Sequence, residues 1–165
     1  MTLAKRKPNR LQNYDYSNSG YYFVTVCTYE KRMLLSQIVG QGLAPAENRL
    51  TEYGKIVQEE LLALENRYAN VRIDQFVVMP NHIHAIVVLQ NDSAAGASPC
   101  PTLSDVVCVF KSIATRRCRP AGFKGKFFQT SYYDHIIRER EDYEKIWEYI
   151  EYNPIKWNDD RFYCE

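Results

Sequence analysis

Residues 20–30, GYYFVTVCTYE, form an unbroken β-branched and aromatic run that predicts a buried strand. The stretch MLLSQIVGQGLAPAENRL (33–50) is interrupted by Gly40, Gly42 and Pro45, and predicts a short hairpin or an irregular excursion. Helical periodicity begins at residue 51. Tyr53, Ile56, Val57, Leu61, Leu64 and Tyr68 fall on one face of a 51–68 helix, with Thr51 as its N-cap. RIDQFVVMP and HIHAIVVLQ then alternate as two strands around a Pro80-Asn81 turn. Residues 91–101, NDSAAGASPCP, are small and polar and predict a mobile loop. In TLSDVVCVFKSIA, Leu103, Val106, Val107, Phe110, Ile113 and Ala114 recur at helical spacing, with Thr102 or Ser104 as the cap. A fourth strand is expected in SYYDHIIRE (131–139), and a last helix in EDYEKIWEYIEYN that must stop near Pro154.

The predicted order is β-α-β-β-α-β plus a helix. This is an α+β, ferredoxin-like βαββαβ antiparallel sheet with an additional C-terminal helix. Both crossover helices cover one sheet face, and the first and third strands of the motif are central. The last helix is left to cross the open face. At 165 residues the chain is expected to form one domain, 1–165, with room for a sizeable core.

Charge and composition refine this only in places. The net charge of +1 conceals an asymmetry: residues 1–10 carry four basic groups and no acid, and residues 111–126 carry six and no acid. Two basic patches permit a polyanionic partner. Thirteen tyrosines suit stacking surfaces, although core packing can absorb them. The five cysteines (27, 100, 108, 118, 164) are odd in number and contain no Cys-x-x-Cys pair, against both a disulfide framework and a zinc ribbon. No apolar run approaches the length of a membrane span and no signal-peptide core follows the N-terminus, so a cytoplasmic location without membrane association is expected.

The candidate chemistry lies in VVMPNHIHAIVV (77–88). Strand alternation aims His82 and His84 to one face and Ile83 and Ala85 to the other. Two converging imidazoles could hold a metal ion, or could be ordinary polar groups on the wet side of a half-buried sheet. A catalytic ion wants a third ligand, and the last helix can supply one. Tyr143, Ile146, Trp147 and Ile150 form its apolar stripe. Tyr149 and Asn153 share the shoulder of that stripe, about 40° apart, and Tyr152 points to solvent. A phenol beside a cation is a competent nucleophile towards a phosphodiester. Simpler roles stay open: Tyr149 as packing, Asn153 as a helix stop, His135 as a hydrogen-bonded core residue. The 111–126 stretch, with Phe123 and then Phe127 and Phe128, either binds a single strand or is a solvated helix end.

FVVMPNHIHAIVV, YYDHIIRERED and IWEYIEYNPIKW, with RLQNYDYSNSGYYFVTVCT near the start, resemble the single-tyrosine HUH transposases, specifically the REP-associated tyrosine transposase group and its insertion-sequence relatives. The resemblance spans roughly residues 10–158. It implies that His82-Ile83-His84 is the HUH motif, Tyr149 the nucleophile and Asn153 the third metal ligand. It implies cleavage and rejoining of single-stranded DNA beside a hairpin, with Mg²⁺ or Mn²⁺, through a 5′-phosphotyrosine and a free 3′-hydroxyl. Ligand chemistry alone favours an imidazole-loving ion such as zinc. Lys111, Arg116, Arg117, Lys124 and Lys126 are candidate phosphate contacts, with the N-terminal basic segment. A homodimer in which the tyrosine helix serves its partner's sheet, through a hinge near 138–142, is left open. The rival reading is a catalytically silent single-stranded nucleic-acid-binding module on the same sheet. A replication or transfer nickase would share the chemistry, but such proteins usually run longer.

Overall fold

The computed structural model describes residues 11, 13–40, 47–90 and 101–163. The basic segment 1–10, all but Pro101 of the expected 91–101 loop, and Cys100 and Cys164 lie outside the described residues. Four strands form an antiparallel sheet: β1 (Gly20–Cys27), β4 (Val71–Val78), β5 (His82–Leu89) and β6 (Tyr133–Ile137), in the order β4-β5-β1-β6. The first strand and the second arm of the 71–89 hairpin are therefore central, as the sequence pattern implied. Within the 33–50 excursion, β2 (Ser36–Val39) and β3 (Glu47–Leu50) pair antiparallel as a separate two-stranded sheet; Gly42 and Pro45, between them, lie outside the described residues.

Helices α1 (Glu52–Leu62) and α3 (Leu103–Cys118) cover one sheet face. The core there joins Tyr22, Val24 and Val26 of β1 and Ile83, Ala85 and Val87 of β5 to Val57, Leu61, Val106 and Phe110. Thr51 caps α1 as expected, its hydroxyl accepting from the Gly54 amide at 3.0 Å. Gly54 is required by a close approach: a Cβ there would lie 1.9 Å from the Leu35 carbonyl oxygen. The expected 51–68 helix is interrupted at Ala63, and the short α2 (Leu64–Arg67) completes it. Between the two candidate caps of α3, the chain uses Thr102, in a reciprocal capping box with Asp105.

Helix α4 (Arg140–Tyr152) crosses the other face. Ile150, Tyr143 and Ile146 pack there on Phe23, Ile86, Val88 and Ile137. Trp147, expected in that stripe, lies outside the packed cluster and is exposed at 38 %. His135 is hydrogen-bonded but not a core residue: it is exposed on the edge strand β6, with Nε2 2.7 Å from Asp142. Among the described residues Cys27, Cys108 and Cys118 are free thiols, and no helix is long and apolar enough to cross a membrane.

Candidate active site

β5 is buried along its whole length, because helices cover one face and α4 with the segment after it covers the other. His82 and His84 are both 0 % exposed, so the wet-face alternative is excluded. Strand register sets His84 opposite Thr25 and His82 opposite Cys27. The rings meet edge-on, with their Nε2 atoms 3.0 Å apart.

Each ring is held from behind. The Asn81 side-chain amide donates to the Phe162 carbonyl at 2.8 Å, which turns Oδ1 towards His82 Nδ1, 2.9 Å away. An amide oxygen only accepts, so His82 carries its proton on Nδ1 and leaves Nε2 bare. His84 Nδ1 lies 2.8 Å from the Thr25 hydroxyl. A hydroxyl can donate or accept, so Thr25 serves either tautomer of His84. Burial pushes His82 down to about 4, with Asp160 pulling it back up in part. Burial, and then His82, hold His84 well below the usual imidazole range. Both rings are therefore neutral at pH 7, the form that ligates a cation.

Helix α4 brings in Tyr149 and Asn153, one turn apart. The Tyr149 hydroxyl lies 3.3 Å from His84 Nε2 and donates to Asp160 Oδ2 at 3.0 Å. Burial, then the charge and hydrogen bond of Asp160, push this phenol up to about 12, so it is protonated at neutral pH. Asn153 is 2 % exposed; its Nδ2 donates to Asp160 Oδ2 at 2.7 Å, and its Oδ1 is buried with no hydrogen-bond partner among the described residues. A cavity of about 280 Å³, lined by Lys145, Tyr149, Tyr152, Asn153, Lys156 and Asp160 among others, opens onto this corner.

Sequence reasoning missed Asp160 and its neighbours. The segment after Pro154 closes the site: Trp157 and Phe162 lie against His82, at ring-centroid distances of 5.9 and 4.6 Å. Ligand atoms of His82, His84 and Asp160 all lie within 4.8 Å of one another, a spacing one cation can bridge. Two neutral imidazoles and a carboxylate at that spacing fit a divalent ion.

The expected basic contacts are dispersed. Lys111 is half-buried, donating to the Gln129 and Thr130 carbonyls at 2.5 and 2.9 Å, and burial lowers its pKa. Arg117 turns the other way, bonding Glu60 and Glu59 at 2.6 and 2.8 Å. Arg116, Lys124 and Lys126 are exposed. Arg116 and Lys126, with Arg119 and Lys111, line a groove of about 610 Å³ between α3 and residues 125–130. The wall of that groove runs beside the end of β1: the Gln129 amide donates to the Cys27 carbonyl at 2.9 Å, and Cys27 faces His82 across the ladder.

This arrangement has parallels. In fold the chain is similar to a REP-associated tyrosine transposase solved bound to a REP hairpin, with a TM-score of 0.63 and 23% identity over 90% of this chain and 73% of that one. This is the tyrosine transposase fold. A candidate transposase of Deinococcus radiodurans shares it at a TM-score of 0.51 and 18% identity, over 86% of this chain and 95% of that one. An uncharacterised protein of Haemophilus influenzae is 31% identical over 178 aligned positions, covering 99% of this chain and 96% of that protein, and the two belong to one family. No protein-family model matches the chain.

Proposed function

We propose that this protein is a transposase that cleaves and rejoins single-stranded DNA through Tyr149, using a divalent metal ion, beside a DNA hairpin. The observation that carries this reading is the Tyr149 hydroxyl 3.3 Å from His84 Nε2, at the mouth of the buried His82–His84 pair, with Asp160 joining this tyrosine to Asn153; His82, His84 and Asn153 are the proposed ligands. Those three residues would hold Mg²⁺ or Mn²⁺, which when bound polarises the scissile phosphate. The Tyr149 oxygen attacks phosphorus and the bond from phosphorus to the 3′ oxygen breaks. The phenol proton reaches the leaving oxygen by way of water, giving a 5′-phosphotyrosine and a 3′-hydroxyl. One phosphodiester replaces another, so rejoining needs no nucleotide cofactor. The chain's own α4 lies over its own histidines, which supports a complete site within one chain, with residues 1–165 acting as a unit in the cytoplasm. The hairpin partner is carried over from the REP transposase of similar fold, and Arg116, Lys124 and Lys126 are the phosphate contacts favoured by exposure.

The test uses end-labelled, hairpin-bearing single-stranded DNAs incubated with wild type or Tyr149→Phe, in Mn²⁺ or EDTA, and resolved on denaturing gels. A metal-dependent protein–DNA adduct is expected for wild type and none for the variant. Tight binding without any adduct would favour the silent binding module instead.

A further inference from the structure

We infer that Lys31 and Arg161 form a phosphate clamp beside the histidine pair, holding the backbone of single-stranded DNA next to the scissile phosphate. The inference rests on the reading above and names the groups that meet the substrate's charge at that site. Two turns far apart in sequence bring these cations onto one aromatic ring. The Arg161 guanidinium lies 4.6 Å, and the Lys31 ammonium 5.7 Å, from the Phe162 ring centroid. That same ring packs on both imidazoles, 4.6 Å from His82 and 5.8 Å from His84. Arg161 is exposed, and no ion pair among the described residues engages its guanidinium.

Lys31 is delivered by a constrained turn. Glu30 and Lys31 are both left-handed, at φ 56° and 53°, a conformation that non-glycine residues rarely adopt. The turn is tied on both sides. The Thr28 hydroxyl and amide reach the Asn81 carbonyl at 3.0 and 2.9 Å, directly before His82. The Tyr29 amide donates to the Phe127 carbonyl at 2.8 Å, in the wall of the basic groove. The turn therefore joins that groove to the strand of the histidines. Charge adds to the geometry: Arg161 acts on His82, His84 and Tyr149, and Lys31 on His82, in the direction of a nearby positive charge. Two fixed cations repel a divalent ion entering the same corner unless an anion lies between them. A phosphodiester is that anion, and a guanidinium fork with an ammonium point charge suits its oxygens. Metal and DNA then help each other to bind.

The test measures Mn²⁺ affinity by the spin resonance of the free ion, with and without a DNA hairpin carrying a single-stranded oligothymidylate flank. Tyr149→Phe is the parent throughout, so that no strand is cut. In the parent, the DNA should tighten Mn²⁺ binding roughly tenfold. Without DNA, Lys31→Gln and Arg161→Gln should each bind Mn²⁺ roughly 2- to 10-fold tighter than the parent. With both replaced, the tightening by DNA should disappear. Arg161→Lys keeps the charge and should behave like the parent. Arg161→Met, which keeps an apolar stem on the Phe162 ring, takes the place of the glutamine variant if that does not fold. Unchanged or weaker Mn²⁺ binding in the neutral variants would assign both cations to packing and overturn the inference. So would a DNA effect that is absent from the parent or intact in the double variant. If the parent binds no Mn²⁺, or His84→Ala in the same background binds it equally well, the metal-site reading itself has failed, and the inference with it.

Discussion

Thr25 shows how a single side chain is tied to the chemistry. It is buried at 1 % exposure, and its hydroxyl meets the back of His84 across the β1–β5 ladder. Replacing it with valine keeps the shape and removes the partner, leaving a buried imidazole nitrogen unsatisfied. Thr25→Val should therefore lower stability by about 1–3 kcal/mol and weaken Mn²⁺ binding roughly tenfold. Thermal unfolding and a metal titration read the two effects separately, and unchanged values in both would remove Thr25 from the site. His82, His84, Tyr149 and Asn153 were legible in the sequence because strand and helix periods aim side chains predictably. Asp160, Trp157 and Phe162 were not. They follow Pro154 in a turn with no period, and only the folded chain brings them to the histidines.

Between elements, Glu60 ties α1, α2 and α3 together. It is 3 % exposed and takes Arg117 of α3 at 2.6 Å and Arg67 of α2 at 2.7 Å. Burial alone would raise its carboxyl, but the hydrogen bonds from Arg117 and Arg67 outweigh that and hold it below its ordinary 4.5. A carboxyl depressed in the folded state contributes stability that is full above its unfolded value. That contribution is lost as pH falls through the lower folded value. Glu60→Gln should cost about 1–3 kcal/mol at neutral pH, and the gap from wild type should close below pH 4.5. Urea midpoints across that range test it; a gap of constant size would show that charge is not what matters at this position. Helix existence was legible here from the spacing of Val57, Leu61 and Leu64. The break at Ala63 was not, since the apolar period continues through it. Nor did the sequence reveal that Arg117, counted among phosphate contacts, is committed to two glutamates on a neighbouring helix.

Across the whole molecule, a near-neutral chain still presents a basic groove among the described residues. Among the residues lining the groove between α3 and 125–130 are Lys111, Arg116, Arg119 and Lys126, and no acid. Lys111 is engaged with the loop carbonyls that form the opposite wall and Lys126 with the Thr130 hydroxyl, so these two shape the groove and leave Arg116 and Arg119 to meet a ligand. The wall continues into the end of β1 beside His82, which puts the groove and the histidine pair at the same end of the sheet. A nucleic acid bound there would run from a sequence-independent electrostatic contact to the scissile phosphate. Replacing Arg116 and Arg119 together with glutamate should weaken hairpin binding at least tenfold. It should also flatten the dependence of log affinity on log salt by roughly 0.9 per lost duplex phosphate contact. Mn²⁺ affinity should stay at the wild-type value, because neither arginine touches the histidine cluster. Fluorescence anisotropy from low to moderate salt measures the slope. An unchanged slope with unchanged affinity would move the DNA path off this face and onto another surface flanking Tyr149.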